Sequence, residues 1–243
     1  MTTKSRHGVC TSAIALSLVS GFAALVLSVA PAMAQNPALQ VRIAEIKQAS
    51  AANKQALSHY TWQESQTTSI KGDIKKQQLF QVSFSAGGQQ QKIEINATPE
   101  AQPSGRALKR HIVAKKTEEY QDYGQQIAEL ARQYTQPDPG RLQQAFEQGN
   151  VLLQPGGGEG EVTLIIKNYI KPNDSVTLVF NQQQKAIQSV QVSSYLDDPK
   201  NAVTIAAQFS KLPDGTNHVA GTQINGVSKQ LTVVTLNSNY QRS

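Results

Sequence analysis

The sequence predicts an α+β protein built on one curved antiparallel β-sheet with helices covering its concave face. Three observations predict it. Apolar spacing is helical over two long stretches and has period two over many short ones. The short stretches follow one another with brief turn clusters between them, which suits a meander better than alternating β-α-β units. Several of them carry apolar residues on both faces, so something must cover parts of both sides, and the helices are the available cover. The 243 residues are 39% hydrophobic and 16% charged, a composition that folds. Their 31 glutamines make the surface polar through amides more than through charges.

The first 34 residues have the three zones of a secretory signal. Lys4 and Arg6 form a basic start, Ala13 to Val29 is mostly apolar, and Ala32, Met33 and Ala34 place small residues at a peptidase site. The apolar run approaches the ~20 residues of a membrane span. Ser17, Ser20, Gly21 and Ser28 dilute it, however, and Pro31 follows it, so cleavage before Gln35 is expected and the working chain is periplasmic or secreted. Cys10, the sole cysteine, leaves with the leader, which excludes a disulfide scaffold and a cysteine enzyme. The net charge falls from +6 to +4 over the remaining 209 residues. Export and so mild an excess argue against nucleic acid as partner and suit an anionic envelope surface or lipid headgroup.

Element by element, Leu39, Ile43, Ile46 and Leu57 recur at helical spacing, giving a first helix over about 38–57. From Tyr60 to Ser65 the period is two, and it returns at Phe80, Val82 and Phe84 and at Ile93 and Ile95, with a hairpin turn at Gly87-Gly88. A loop with Pro99, Pro103 and Gly105 precedes a second helix over 106–135, whose apolar face carries Leu108, Ile112, Tyr120, Tyr123, Ile127 and Leu130. Pro137 to Gly140 breaks it before a short helix over about 140–148. Gly156 to Gly160 reads as a flexible linker. Six strands rich in Val, Ile and Thr follow: 162–167, 176–180, 187–195, 202–209, 216–224 and 230–236. Turns are expected at 172–174, 181–185, 198–199, 213–215 and 225–226, for about nine strands in one domain over 35–243.

Chemistry is sparse. His59, His111 and His218 are scattered without ligand spacing, and no His-Glu-x-x-His motif is present. Asp197-Asp198-Pro199 lacks the repeated oxygen ligands of a calcium loop and reads as a turn. The glycine run lacks the Lys-Ser/Thr ending of a phosphate cradle, and Glu159 and Glu161 would repel phosphate. No cofactor, metal or catalytic group is expected. One place breaks pattern: Lys109 and Lys116 fall inside the apolar stripe of the second helix. Such lysines snorkel past Leu108 and Ile112, or pair with Glu119, or mark a kink near Thr117. Alternatively this part of the helix faces a cavity, where the ammonium groups meet an anionic headgroup and Trp62, Phe80 and Phe84 line an apolar interior. With Tyr120 these five residues form the candidate ligand site.

Several stretches resemble a family of secreted bacterial proteins sharing the organisation of the periplasmic lipoprotein carriers (LolA/LolB-like). They are Tyr60-Thr61-Trp62, Lys115 to Tyr120, Tyr195 to Pro199, Leu212 to Asn217 and Asn237 to Tyr240. The resemblance implies an open half-barrel closed by helices and a hydrophobic cavity that shields acyl chains. It transfers no functional residue to a position here. The chain departs from a carrier in having no methionine after residue 34 and few aromatics. The expectation is a non-enzymatic periplasmic protein that binds a lipid, a lipoprotein acyl chain or another amphiphilic envelope ligand. The alternative is an envelope structural or protein-interaction protein whose concave face is filled by its own helices.

Overall fold

The computed structural model describes residues 37–85, 87–95, 107–135 and 139–243. The leader, its expected cleavage site, Cys10 and the loop with Pro99, Pro103 and Gly105 lie outside these residues, as do Pro137 and Asp138.

Among the described residues three helices and ten strands run in the order α1 (Pro37–Leu57), β1 (Tyr60–Ile70), β2 (Asp73–Phe84), β3 (Gln90–Glu94), α2 (Ala107–Thr135), α3 (Pro139–Glu147), β4 (Val151–Pro155), β5 (Glu161–Lys167), β6 (Ser175–Asn181), β7 (Ala186–Tyr195), β8 (Ala202–Lys211), β9 (Asn217–Gly226) and β10 (Leu231–Arg242). All ten strands form one antiparallel sheet in the order β3-β2-β1-β10-β9-β8-β7-β6-β5-β4. Every neighbouring pair is consecutive in sequence except β1 and β10, so two meanders are joined where the first strand pairs with the last. The sheet is not closed into a barrel: β3 and β4 are its free edges. No helix among the described residues is long and apolar enough to cross a membrane.

The helices cover one face only. Leu39, Ile43 and Ile46 of α1, Ile127 and Leu130 of α2 and Phe146 of α3 pack on that face in one core. Beneath them lie Ile166 of β5, Val176 of β6, Val192 of β7 and Ile205 of β8, which strand pairing places side by side. The sequence expectation of cover on both sides is corrected here. On the other face Ile165 and Val179 are half-buried by their own neighbours, Leu152 and Leu236 are exposed, and no described helix lies over them. β-branched residues on a pleated surface shield one another, so an apolar outward position does not require a second layer.

Two local devices seat the helices. Asn53 of α1 donates to the Asn217 carbonyl at 2.7 Å and accepts from the Asn217 N–H at 2.6 Å, so one side-chain amide supplies the ladder partner that the start of β9 lacks. The Asn217 side chain then donates to the Ile187 carbonyl at 2.9 Å, tying β9 to β7. At the end of α2, the Tyr134 hydroxyl donates to Asp174 at 2.6 Å. Asp174 is 2% exposed, and its carboxylate also accepts from the N–H groups of Tyr169, Ile170 and Lys171 at 2.6, 2.9 and 2.9 Å. Burial first, and then the hydrogen bond to this carboxylate, push the Tyr134 hydroxyl pKa above its ordinary value.

Four sequence expectations change. The strand from Tyr60 continues to Ile70, and β2 begins at Asp73, well before Phe80. A tenth strand, β4, precedes the glycine run. That run is no flexible linker but the tight turn of the β4–β5 hairpin: Gly156 N–H donates to the Glu161 carbonyl at 2.9 Å, Glu161 N–H to the Gly158 carbonyl at 3.1 Å, and Gly160 has φ +70°. A Cβ on Gly156 would overlap Glu161. Finally, Asn225-Gly226 is strand, and the turn falls at 227–230. Gly226 is there because α2 lies against it: a Cβ would overlap Ile127 and come within 2.7 Å of the Tyr123 hydroxyl.

Candidate functional site

Antiparallel partners share a face, so the register extends the helix-covered face across the whole sheet. From β9 onward its character changes. Alongside Leu231 and Val233, β10 presents Thr235 and Asn237, and β1 presents Glu64, Gln66 and Thr68 beside them. α2 follows the same division. Ile127, Leu130, Ala131 and Tyr134 are buried toward its C-terminal end, while Lys116, Thr117, Gln121 and Gln125 stay polar ahead of them. Between this stretch of α2 and the sheet from β9 to β3 lies a partly open cavity of about 1920 Å³. Ligand pockets commonly run about 300–1,000 Å³, so this space is larger than a typical small-molecule pocket.

The cavity has an aromatic end and a basic end. At the aromatic end Trp62 is 5% exposed, stacked on Tyr240 at 5.4 Å between ring centroids and tilted against Phe84 at 5.8 Å. A bulge makes this stack. Between Thr61 and Gln63 the pairing with β10 shifts, and Asn239 takes φ 54°, which turns the Tyr240 ring to the side of Trp62. Burial, followed by the charge of Glu64, raises the Tyr240 hydroxyl pKa, so Tyr240 is a neutral wall residue at any physiological pH. Trp62 Nε1 and Asn237 Oδ1 are shielded from solvent with no hydrogen-bond partner among the described residues. An unsatisfied donor and acceptor cost about 1–3 kcal/mol each, and both stand in the cavity wall.

At the basic end the wall includes Lys71 and Lys76 at the β1–β2 turn and Lys116 on α2, all exposed. Midway, Lys92 of β3 is ion-paired with Glu64, whose side chain is largely buried. Lys92 Nζ also lies over the Phe80 ring, 4.4 Å from its centroid.

Of the six candidate residues, Trp62, Phe84, Lys116 and Tyr120 line this cavity together. Phe80 shares their face through its pairing with Glu64, but Lys92 covers its ring and it is outside the lining. Lys109 lies on α2, and its side chain is outside the described residues. The interior is not the apolar one expected, because threonine, asparagine and glutamine alternate with the aromatic and aliphatic groups. Sequence reasoning missed Tyr240 and Gly124. Tyr240 follows a bulge that no local pattern announces. Gly124 faces the cavity from α2 with no atom within 4 Å of where a Cβ would stand, and its signal was available: a glycine in mid-helix costs about 1 kcal/mol against alanine. No group of three or more His, Cys, Asp or Glu among the described residues is arranged to hold a metal ion.

No family model matches the sequence, and no curated protein matches it. Two solved structures are similar to it. One is a DUF1329 family protein from Desulfovibrio piger, 10% identical over 83% of this chain and 92% of that one, with a TM-score of 0.39. The other is a LolA superfamily protein from Nitrosomonas europaea, 11% identical over 79% of this chain and 93% of that one, with a TM-score of 0.34.

Proposed function

We propose that this chain is a non-enzymatic envelope protein that holds an amphiphilic ligand of lipid type between α2 and the β9–β3 part of its sheet. One observation carries the reading: the helices fill only the apolar half of the covered face and leave the mixed half as the wall of a cavity of about 1920 Å³. Burying a ligand's apolar chain against Trp62, Phe84, Ile224 and Val233 is favourable by roughly 25 cal/mol per Å². Lys71, Lys76 and Lys116 at the other end suit an anionic group, and the hydroxyls and amides between them suit ester, amide or hydroxyl groups along the molecule. The secretory leader read from the sequence puts such a protein where amphiphiles move between membranes.

Trp62 is the single tryptophan, so intrinsic fluorescence reports on the cavity wall. The test is titration with a fluorescent fatty acid, read by probe emission and by Trp62 emission together, in the wild type and in Gly124→Phe. The phenyl group enters empty cavity space from a helix position that gains propensity, so the variant keeps its fold. Its affinity falls about tenfold or more, equivalent to about 1.4 kcal/mol. Lys116→Gln weakens an anionic probe while leaving a neutral analogue unaffected. Unchanged affinity in Gly124→Phe, or no change in Trp62 emission on saturation, would refute the reading.

A further inference from the structure

We propose that the corner of the sheet formed by the β1–β2 and β9–β10 turns is a docking surface for an anionic lipid bilayer. Residues 71–77 are all exposed, so the last rungs of the β1–β2 hairpin stand clear of other elements. The hairpin end carries Ile74, 60% exposed, and the neighbouring turn carries Val227, 57% exposed. The Lys71 N–H donates to the Gln230 carbonyl at 2.8 Å, which holds the two turns side by side and points both apolar groups from one corner.

Cations surround them. Lys71, Lys75 and Lys76 lie on the hairpin, Lys229 on the second turn and Lys116 on the facing stretch of α2. Among the described residues two acids here are ion-paired, Asp73 with Lys75 at 3.1 Å and Glu119 with Lys229 at 3.4 Å, and the charge of the exposed Glu118 beside Glu119 is balanced by the exposed Lys115. The remaining excess comes from Lys71, Lys76 and Lys116. Asp197 and Asp198 are at the same end of the sheet but in the β7–β8 turn, where Asp198 accepts from the Lys200 N–H at 2.8 Å. Exposed aliphatic groups ringed by lysines match a headgroup layer: the apolar tips enter the acyl boundary and the ammonium groups stay with the phosphates.

Turn chemistry separates this role from folding. Lys71 has φ 54° and Gly72 has φ 85°, the left-handed pair of a type I′ turn, whose first position favours asparagine or glycine. Folding alone gives no reason for lysine there. A bulge at Lys75, where Thr68 pairs with Lys76 and Ser69 with Ile74, twists the hairpin end and displaces Ile74 from simple alternation. Ile74, Lys71 and Lys76 also line the cavity's basic end. Docking therefore sets that opening against the bilayer, although the docking itself does not depend on ligand binding.

The test is co-sedimentation of the chain from Gln35 onward with vesicles of phosphatidylcholine alone or mixed with phosphatidylglycerol. The chain binds the anionic vesicles selectively and is released by salt. Each lysine near such a surface contributes about 1 kcal/mol, so Lys76→Gln and Lys71→Asn each weaken partitioning about fivefold. Lys71→Asn also keeps or raises the melting temperature, which separates lost binding from lost folding. Ile74→Ser weakens binding further at equal charge, and Ile74→Trp shows blue-shifted emission on anionic vesicles above the Trp62 background. Val227→Ser, on the β9–β10 turn outside the cavity lining, also weakens partitioning while its fatty-acid probe affinity stays at the wild-type value, which distinguishes this surface from the cavity. Failure to bind anionic vesicles, equal binding to neutral ones, or wild-type partitioning of the Lys71→Asn, Lys76→Gln double variant would overturn the proposal.

Discussion

Replacing Asp174 tests how the sheet holds the helix that walls the cavity. Its carboxylate is 2% exposed and accepts four hydrogen bonds: Tyr169 N–H on Oδ1, and Ile170 N–H, Lys171 N–H and Tyr134 O–H on Oδ2. In Asp174→Asn the amide oxygen serves the three donors on the Oδ2 side, and the Tyr169 N–H is left facing an NH₂ group. One orphaned buried donor costs about 1–3 kcal/mol. Lost charge assistance in the other three adds to this, and relief of carboxylate desolvation offsets part of it, for a net loss of about 2 kcal/mol. Asp174→Ala strands the three N–H donors, the Tyr134 hydroxyl keeping Ser194 Oγ at 2.7 Å, and costs about 4 kcal/mol. Tyr134→Phe removes two bonds, to Asp174 and to the buried Ser194 Oγ at 2.7 Å, and leaves the carboxylate three, for about 1.5 kcal/mol. Urea unfolding is the assay. The midpoint should fall least in Tyr134→Phe, further in Asp174→Asn and furthest in Asp174→Ala, with the slope unchanged. In thermal unfolding, Asp174→Ala lowers the midpoint by roughly 10 °C for a domain of this size. A loss below about 1 kcal/mol in Asp174→Ala would refute the reasoning, since no buried network could then depend on that group.

Two more predictions concern the ends of the sheet. The Tyr60 hydroxyl donates to Asp214 at 2.6 Å and, with the Thr216 N–H, holds the Asp214 carboxyl at about 2. A pKa lowered in the folded state contributes stability above the unfolded value near 3.9, and that stability is lost as pH falls toward 2. The melting temperature of Tyr60→Phe should therefore fall less steeply than that of the wild type between about pH 4 and pH 2; parallel curves would exclude this linkage. Gly226→Ala should destabilise by about 1–3 kcal/mol through overlap with Ile127 and Tyr123. Adding Ile127→Val should recover part of that loss, and strictly additive effects in denaturant would show that the two positions do not collide.

The strands from β5 to β9 were legible because each alternates or repeats Val, Ile and Thr between turn residues, and the sheet uses that pattern directly. The stretch 66–79 was not. Gln66, Thr67, Thr68 and Ser69 pair with β10 and with Lys76, Gln77 and Gln78, yet both faces are polar because one meets solvent and the other meets the cavity. A strand with no buried face gives no hydrophobic period to read. Val151 to Pro155 escaped for a related reason: it is an edge strand, where pairing on one side suffices and proline is tolerated. Asn225-Gly226 reads as a turn locally and became strand because α2 needed a position without a side chain. The lysines inside the helical stripe were a genuine signal of unusual surroundings, but the stripe does not say whether Lys116 meets a core, an acid or open space.

Local physics thus determined much of this protein: where helices and strands form, which face of α1 and of the distal half of α2 is buried, and that no familiar catalytic motif is present. These follow from side-chain periodicity and from turn chemistry, which act over a few residues. Tertiary structure alone decided that β1 pairs with β10, that the sheet stays open, and that the helices cover one half of its face and leave the other as a cavity wall. The Trp62–Tyr240 stack, the Asp174 cluster and the basic corner join residues that are distant in sequence. Their contact depends on chain path and register across the whole sheet, which no local stretch encodes.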